Sequence, residues 1–323
     1  MNNALVLFAA LSCAAPLYLA LGPSPIGPAP MGAGAGSSAD ARLPKPELVG
    51  PGVVSTNAGE YSPTFDAERG ELYFMRRTPG LFDYTIWRAR TDGERWTDAE
   101  VVSFSGEERD AGPYLAPDGA SLVFDSARPA ETLEKDSINL WRVERSEDGA
   151  WGEPSLLAGA SNAGFQPGRA EVDEFGPAID GEGRIWFYSF RSPYRGGSRY
   201  VVDTPDAKEA RRDTSVPDPS ARTFVSYLWL SADGDTAVME GRAKGRRDTD
   251  LFVSHRVGTR WTEPRPVPGV NTSSGEGGPW VTPDGAWLWF TSDRASGDER
   301  AGTANLYRVA VEGRLDPPSD AAH

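Results

Sequence analysis

Four acidic residues each stand three positions ahead of a proline in similar phrases: Glu60, Asp110, Glu174 and Glu276, followed by Pro63, Pro113, Pro177 and Pro279. If the phrases are structural repeats arranged in a ring, the four carboxylates gather around one mouth of its channel. Several hard oxygens converging there suit Ca2+, or else an amine or a basic peptide. The same residues have a local use. Each can cap the backbone of its own turn, or pair with the arginine that ends a neighbouring strand. Arg128, Arg191, Arg242 and Arg294 form that second recurring set, with Arg76 or Arg77 in the first copy. An arginine fork either braces an acidic loop or recognises a carboxylate or sugar acid. Trp280, beside Pro279, is the aromatic best placed to stack on a sugar at the mouth. Trp87, Trp141, Trp186, Trp229 and Trp289 sit inside strands and read as packing between repeats.

Other chemistries are poorly supplied. The only histidines are His255 and His323, too few for a multi-histidine metal site and without partners for a Ser-His-Asp triad. The only cysteine, Cys13, precedes the repeats, so these hold no disulfide and no thiolate. Neither a nucleophile elbow nor a phosphate-binding glycine loop occurs. Glycoside hydrolysis needs only two carboxylates at the right separation, and Glu174 with Glu276 is the pair to test for it. No residue is assigned a catalytic role.

The elements that must position these side chains follow from the repeat. After the acid and proline comes a turn, then a strand ending near the arginine: ELYFMRR, ASLVFDSAR, RIWFYSFR, TAVMEGR and AWLWFTSDR. The fourth copy is degenerate, with Val225 and Leu228 in place of acid and proline. A third strand follows (YTIWRAR, INLWRVER, SRYVV, DLFVSHRV, NLYRVAV), and a tryptophan announces an outer one at Trp96, Trp151 and Trp261. The strands are short, alternating and rich in aromatic and β-branched residues, and Asp-Gly pairs at 118–119, 233–234 and 284–285 mark hairpins. Successive units start 50, 64, 51 and 51 residues apart, about one four-stranded blade each. The fold class is therefore all-β: a β-propeller of five blades of four antiparallel strands. Six blades is the alternative, because 192–222 is irregular and has room for a further element. The last unit lacks an outer strand, and the phrase PELVGPGVV from Pro46 matches PRPVPGV from Pro264. Residues 43–54 are thus expected to supply the missing strand and close the ring.

The phrases EFGPAIDGEGRIWFYSFR, DAGPYLAPDGASLVFDSAR and EGGPWVTPDGAWLWFTSDR resemble the WD40-like repeats of the TolB-like (PD40) propeller group. The resemblance covers about 43–315. It implies a propeller fold and a place among exported bacterial proteins, a group that includes scaffolds and propellers joined to enzymes. TolB itself is six-bladed with an additional N-terminal domain, neither of which is evident here, so its role is not carried over.

Residues 4–21 are almost wholly apolar, and a Gly/Pro/Ala-rich stretch follows. The organisation read from this is a signal peptide or membrane anchor over 1–22, a linker over 23–42, the propeller over 43–315 and a disordered tail over 316–323. No Lys or Arg precedes the apolar run, and Leu11-Ser12-Cys13 faintly resembles a lipidation box, so cleavage, anchoring and lipidation all stay open. With 47 acidic against 33 basic residues the net charge is -14, which repels nucleic acid and anionic membrane surfaces. The expectation is a monomeric, periplasmic or extracellular binding propeller, non-enzymatic, presenting channel-mouth loops to a protein or glycan. The alternative is a carbohydrate-active enzyme, hydrolase or lyase, using channel carboxylates. Ca2+ is the one cofactor considered.

Overall fold

The computed structural model describes residues 43–78, 83–97, 99–130, 137–157, 159–163, 172–191, 197–219, 227–243, 245–295 and 303–317. The apolar segment and linker expected over 1–42, Val225, and the tail from 318 onward lie outside these residues. The described residues form five antiparallel sheets, one for each sequence repeat, arranged as a β-propeller. A two-residue strand, β1 (Glu47–Leu48), comes first. Blade 1 is then β2 (Glu60–Asp66), β3 (Glu71–Thr78), β4 (Asp83–Arg90) and β5 (Glu100–Val101). Blade 2 is β6 (Asp110–Leu115), β7 (Ser121–Ser126), β8 (Asn139–Glu144) and β9 (Ser155–Leu156). Blade 3 is β10 (Glu174–Ile179), β11 (Ile185–Ser189), β12 (Ser198–Val202) and β13 (Arg211–Arg212). Blade 4 is β14 (Leu228–Leu230), β15 (Thr236–Gly241) and β16 (Asp250–Val257), with β17 (Arg260–Trp261) and β18 (Arg265–Pro266) both pairing β16. Blade 5 is β19 (Glu276–Val281), β20 (Trp287–Ser292) and β21 (Asn305–Ala310), completed by β1.

The inner strands β2, β6, β10, β14 and β19 touch in succession, and β19 touches β2, which closes the ring at five. Within 192–222 the described residues form the third and outer strands of blade 3, so the six-blade alternative falls. The second strands do not alternate as half-buried strands do: β7 and β11 are buried at every residue. A neighbouring blade covers each face, so apolar side chains are needed on both. Phe74, Phe124, Phe187 and Phe290 are at most 2% exposed there. In each Asp-Gly hairpin only the glycine takes a positive φ (67° at Gly119, 70° at Gly234 and Gly285), while the aspartate accepts from the backbone two residues on.

The outer strands are shorter than the sequence suggested. Trp96 and Trp151 make only isolated bridges, to Thr91 and Arg145, and the paired outer segments of blades 1 and 2 have two residues each. Such short edges give another chain little to pair with.

Closure uses the N-terminal segment as expected. Glu47 pairs with Arg308 and Leu48 with Tyr307, and the Val49 amide donates to Leu306 at 2.9 Å. Arg314, fully buried, donates to the Ala310 carbonyl at 2.8 Å and to the Pro44 carbonyl, tying the end of the last blade to the start of the ring. Val49→Pro, which removes the closing amide, is expected to lower stability by about 1–3 kcal/mol in equilibrium urea unfolding. An unchanged unfolding midpoint would show that closure contributes nothing.

Candidate functional site at the axial mouth

Each repeated acid opens an inner strand, and the third residue of the phrase takes a left-handed conformation: φ is 50° at Ser62, 55° at Gly112, 59° at Gly176 and 55° at Gly278. The strand pairing shifts register at the same place in all four blades. This is a bulge, and it presses the backbone of one blade toward the next. A Cβ on Gly278 would stand 3.2 Å from the Ser62 Cα, which is why glycine recurs here.

The four carboxylates are buried, at most 1% exposed, and each is bound within its own repeat. Glu60 pairs with Arg76 at 3.0 Å, Asp110 with Arg128 at 2.8 Å, Glu174 with Arg191 at 3.1 Å and Glu276 with Arg294 at 3.1 Å. The chain that leads into each blade adds further donors. Thr56 and Thr272 each give an amide and a hydroxyl to Glu60 and Glu276, and Ser105 gives its hydroxyl to Asp110 at 2.7 Å. The guanidinium fastens that incoming chain as well. Arg76 donates to the Val53 and Val54 carbonyls, Arg128 to Phe104, Arg191 to Ser161 and Arg294 to Val270, at 2.6–3.1 Å. Each arginine also lies over two aromatic rings of its blade at 4.4–5.2 Å: Phe74 and Trp87, Phe124 and Trp141, Phe187 and Tyr200, Phe290 and Tyr307. Of the first-copy pair it is Arg76 that fills this role, from the position that Ser126, Ser189 and Ser292 hold in other blades. Burial raises the Glu60 carboxyl above its ordinary range, although the Thr56 bonds and the Arg76 charge oppose this.

The local use of these residues is thus the one the geometry displays. Among the described residues no three acidic, cysteine or histidine side chains come together as metal ligands, and the four acids are engaged by these local bonds. Arg242 follows β15 as an exposed residue in the blade whose acid position is Val225. Trp280 is 4% exposed and lies in the core, paired across strands with Trp289, so its ring face is not offered to a sugar. His255 is likewise 4% exposed, with Nδ1 3.4 Å from the Thr236 hydroxyl.

The polar groups at the axis come from residues that the sequence did not single out. One position of the second strand supplies acceptors to the bulge of the following blade. Asp125 accepts from the Gly176 amide at 3.3 Å, Glu240 from the Gly278 amide at 3.2 Å, and Thr291 from the Ser62 amide at 3.1 Å. Asp125 is 1% exposed and is held by Arg109 at 3.0 Å, and its burial raises the carboxyl against that charge. Arg109 lies 5.7 Å over the Tyr84 ring, and Tyr84 meets Tyr61 edge-on at 5.8 Å. Burial, with Tyr84 beside it, pushes the Tyr61 phenol up to about 12. Burial and then the Asp125 charge push the Tyr227 phenol up, with Glu240 adding to the rise and Arg109 opposing it. Tyr61, Tyr84, Arg109, Tyr227 and Glu240 keep part of their surface open to solvent. The sequence signals for this set were Asp125 and Glu240, charges inside the otherwise apolar runs LVFDS and AVMEG.

No family model matches the chain, and no curated protein does. Solved structures do. TolB from Acinetobacter baumannii is 14% identical, covering 79% of this chain and 55% of that one, with a TM-score of 0.46. This chain thus spans about half the length of that protein. A family 117 glycoside hydrolase from the marine bacterium Zobellia galactanivorans is 14% identical over 82% of this chain and 89% of its own, with a TM-score of 0.50. Another glycoside hydrolase is 11% identical over 86% and 92%, with a TM-score of 0.52. At such identities the likeness is one of fold.

Two measurements check this account. Arg128→Met leaves Asp110 buried and unpaired, and is expected to cost about 3–5 kcal/mol in denaturant unfolding, with Arg128→Met/Asp110→Asn recovering part of the loss. For His255, burial and then the Arg265 charge hold the imidazole below its ordinary value of 6.5. On acidification the unfolded chain takes up this proton before the folded one. The His255 contribution is therefore present above the unfolded value and lost as pH falls. Between about pH 7.5 and pH 5.5 the wild type should lose more stability than His255→Gln. Parallel curves for the two proteins would remove His255 from the pH response.

Proposed function

We propose that this chain is an exported, non-enzymatic binding propeller of the cell envelope, related to the TolB-like PD40 group, which offers its axial mouth to a protein or glycan. The repeat itself acts as the control. The fold accounts for what recurs in four of the five blades: the acid, the bulge and the arginine. Tyr61 has Ala111, Phe175 and Gly277 as its counterparts, and Arg109 has Gly59, Asp173 and Gly275. The half-buried group of Tyr61, Tyr84 and Arg109 is therefore not demanded by the blade architecture, and this is the observation that carries the reading. Tyrosine and arginine with an apolar body and a polar tip are the residue types enriched at binding surfaces. The apolar segment 4–21 and the absence of thiols from the repeats support export.

Hydrolysis by Glu174 and Glu276 lacks comparable support. Glu174 accepts bonds from Ser189 and Arg191, and Glu276 from Thr272, Ser292 and Arg294, and both are buried. A glycosidase pair must instead face a sugar, with room for water or direct attack.

The test is affinity capture after mild crosslinking, with full-length protein in mild detergent and envelope extract from the source organism. Wild type is expected to recover one protein or polysaccharide reproducibly. Tyr61→Ala/Tyr84→Ala, with its melting temperature checked, is expected to lose at least about nine-tenths of it. Capture that survives the double substitution would remove the axial mouth as the binding surface.

A further inference from the structure

A second cleft lies at the seam where β1 completes blade 5. It has a volume of about 450 Å³ and is walled by Lys45, Pro46, Leu48, Gly269, Ala295, Arg294 and Tyr307. None of these residues belongs to the axial group. The size lies within the range of small-molecule sites, and the walls combine aliphatic surface with a few polar groups, as such sites do.

The polar groups are all donors. Arg294 uses Nε for the Ser292 hydroxyl and Nη2 for the Val270 carbonyl and Glu276. Its Nη1 has no hydrogen bond among the described residues. Glu276 balances the charge of Arg294, whereas Lys45, an exposed residue, has no ion pair among the described residues. Asp293 adds a weaker attraction for Arg294, and Lys45 remains the positive charge at the cleft without a counter-ion in contact, on a chain whose net charge is -14. Tyr307 is 4% exposed, and its hydroxyl has no hydrogen-bond partner. Burial raises the phenol above its ordinary value, so the hydroxyl keeps its proton at neutral pH and can donate it. A buried hydroxyl without a partner costs stability unless something arrives to bond it. The pattern is the inverse of the axial mouth, where carboxylates accept from backbone amides. A single excess cation with an arginine edge and a phenol suits a monoanion that offers two acceptor oxygens, which is a carboxylate.

We propose that this seam cleft binds a small organic carboxylate, its oxygens taken by Lys45 and the free edge of Arg294, with the Tyr307 hydroxyl giving a further bond. This reading is independent of the axial mouth and stands or falls separately. It also gives β1 a role beyond closing the sheet, because Lys45, Pro46 and Leu48 exist at this site only when the ring is closed.

The experiment is isothermal titration of the full-length protein in non-ionic detergent at low salt. D-glucuronate and N-acetyl-L-glutamate are the two carboxylate probes, and D-glucose is the uncharged twin of the first. At least one carboxylate is expected to bind, and D-glucose to bind at least about tenfold more weakly. The stronger of the two carboxylates tells a sugar acid from an acidic side chain as the natural source. Lys45→Gln is expected to weaken that binding about tenfold, and Tyr307→Phe by a few-fold. Both substitutions leave the packing in place: Lys45 is exposed, and phenylalanine keeps the ring that stacks on Phe290 and lies under Arg294. Both variants are expected to keep the wild-type melting temperature, which checks this. The proposal is overturned if neither carboxylate binds, if D-glucose binds as well as D-glucuronate, or if both variants bind like wild type.

Discussion

One buried ion pair per blade holds this ring together, in four of its five blades. The carboxylate stands at the head of the inner strand, the arginine comes from the second strand, and both hold the chain arriving from the previous blade. Removing two charges from water is expensive, and their attraction repays it only when the remaining hydrogen-bonding capacity is filled. Here it is filled by threonine and serine donors, by carbonyls of the incoming chain and by two aromatic faces. The pair therefore works as a fastener that fixes where one blade ends and the next begins. The bulge follows directly, the left-handed residue coming two positions after the anchored carboxylate.

This arrangement accounts for what could be read beforehand. The acid, the proline and the arginine recur because four of the five blades use the same joint, and recurrence is visible in a linear sequence. Ring closure was visible for the same reason, since 46–54 repeats the phrase at 264–270. The use to which the carboxylates are put was not legible. A channel ring and a set of local fasteners have the same spacing along the chain, and they differ only in side-chain direction and burial. Trp280 shows the same limit: next to Pro279 in sequence, it lies inside the packing rather than at the opening.

The axial residues were hidden for a different reason. Asp125, Glu240 and Thr291 occupy one place in their strands, but only two of them are carboxylates, and the first and third blades break the pattern with Met75 and Tyr188, so no full repeat announces them. Each acts on the following blade, and a contact between blades is set by ring geometry rather than by sequence distance. Tyr61, Tyr84 and Arg109 are similarly unmarked, two from blade 1 and one at the entrance to blade 2. Their departure from the repeat becomes informative only once the repeat's structural requirements are known.

The two-residue strand β1 also has a mechanical meaning. It is the first part of the folded ring met by anything pulling on the chain ahead of Leu43. Such a load reaches the pairing of Glu47 and Leu48 with β21 and the Arg314 grip on Pro44 before it reaches any other sheet. Those few bonds act as a fuse: under tension blade 5 loses its outer edge first, and the other four blades are spared until that edge has parted.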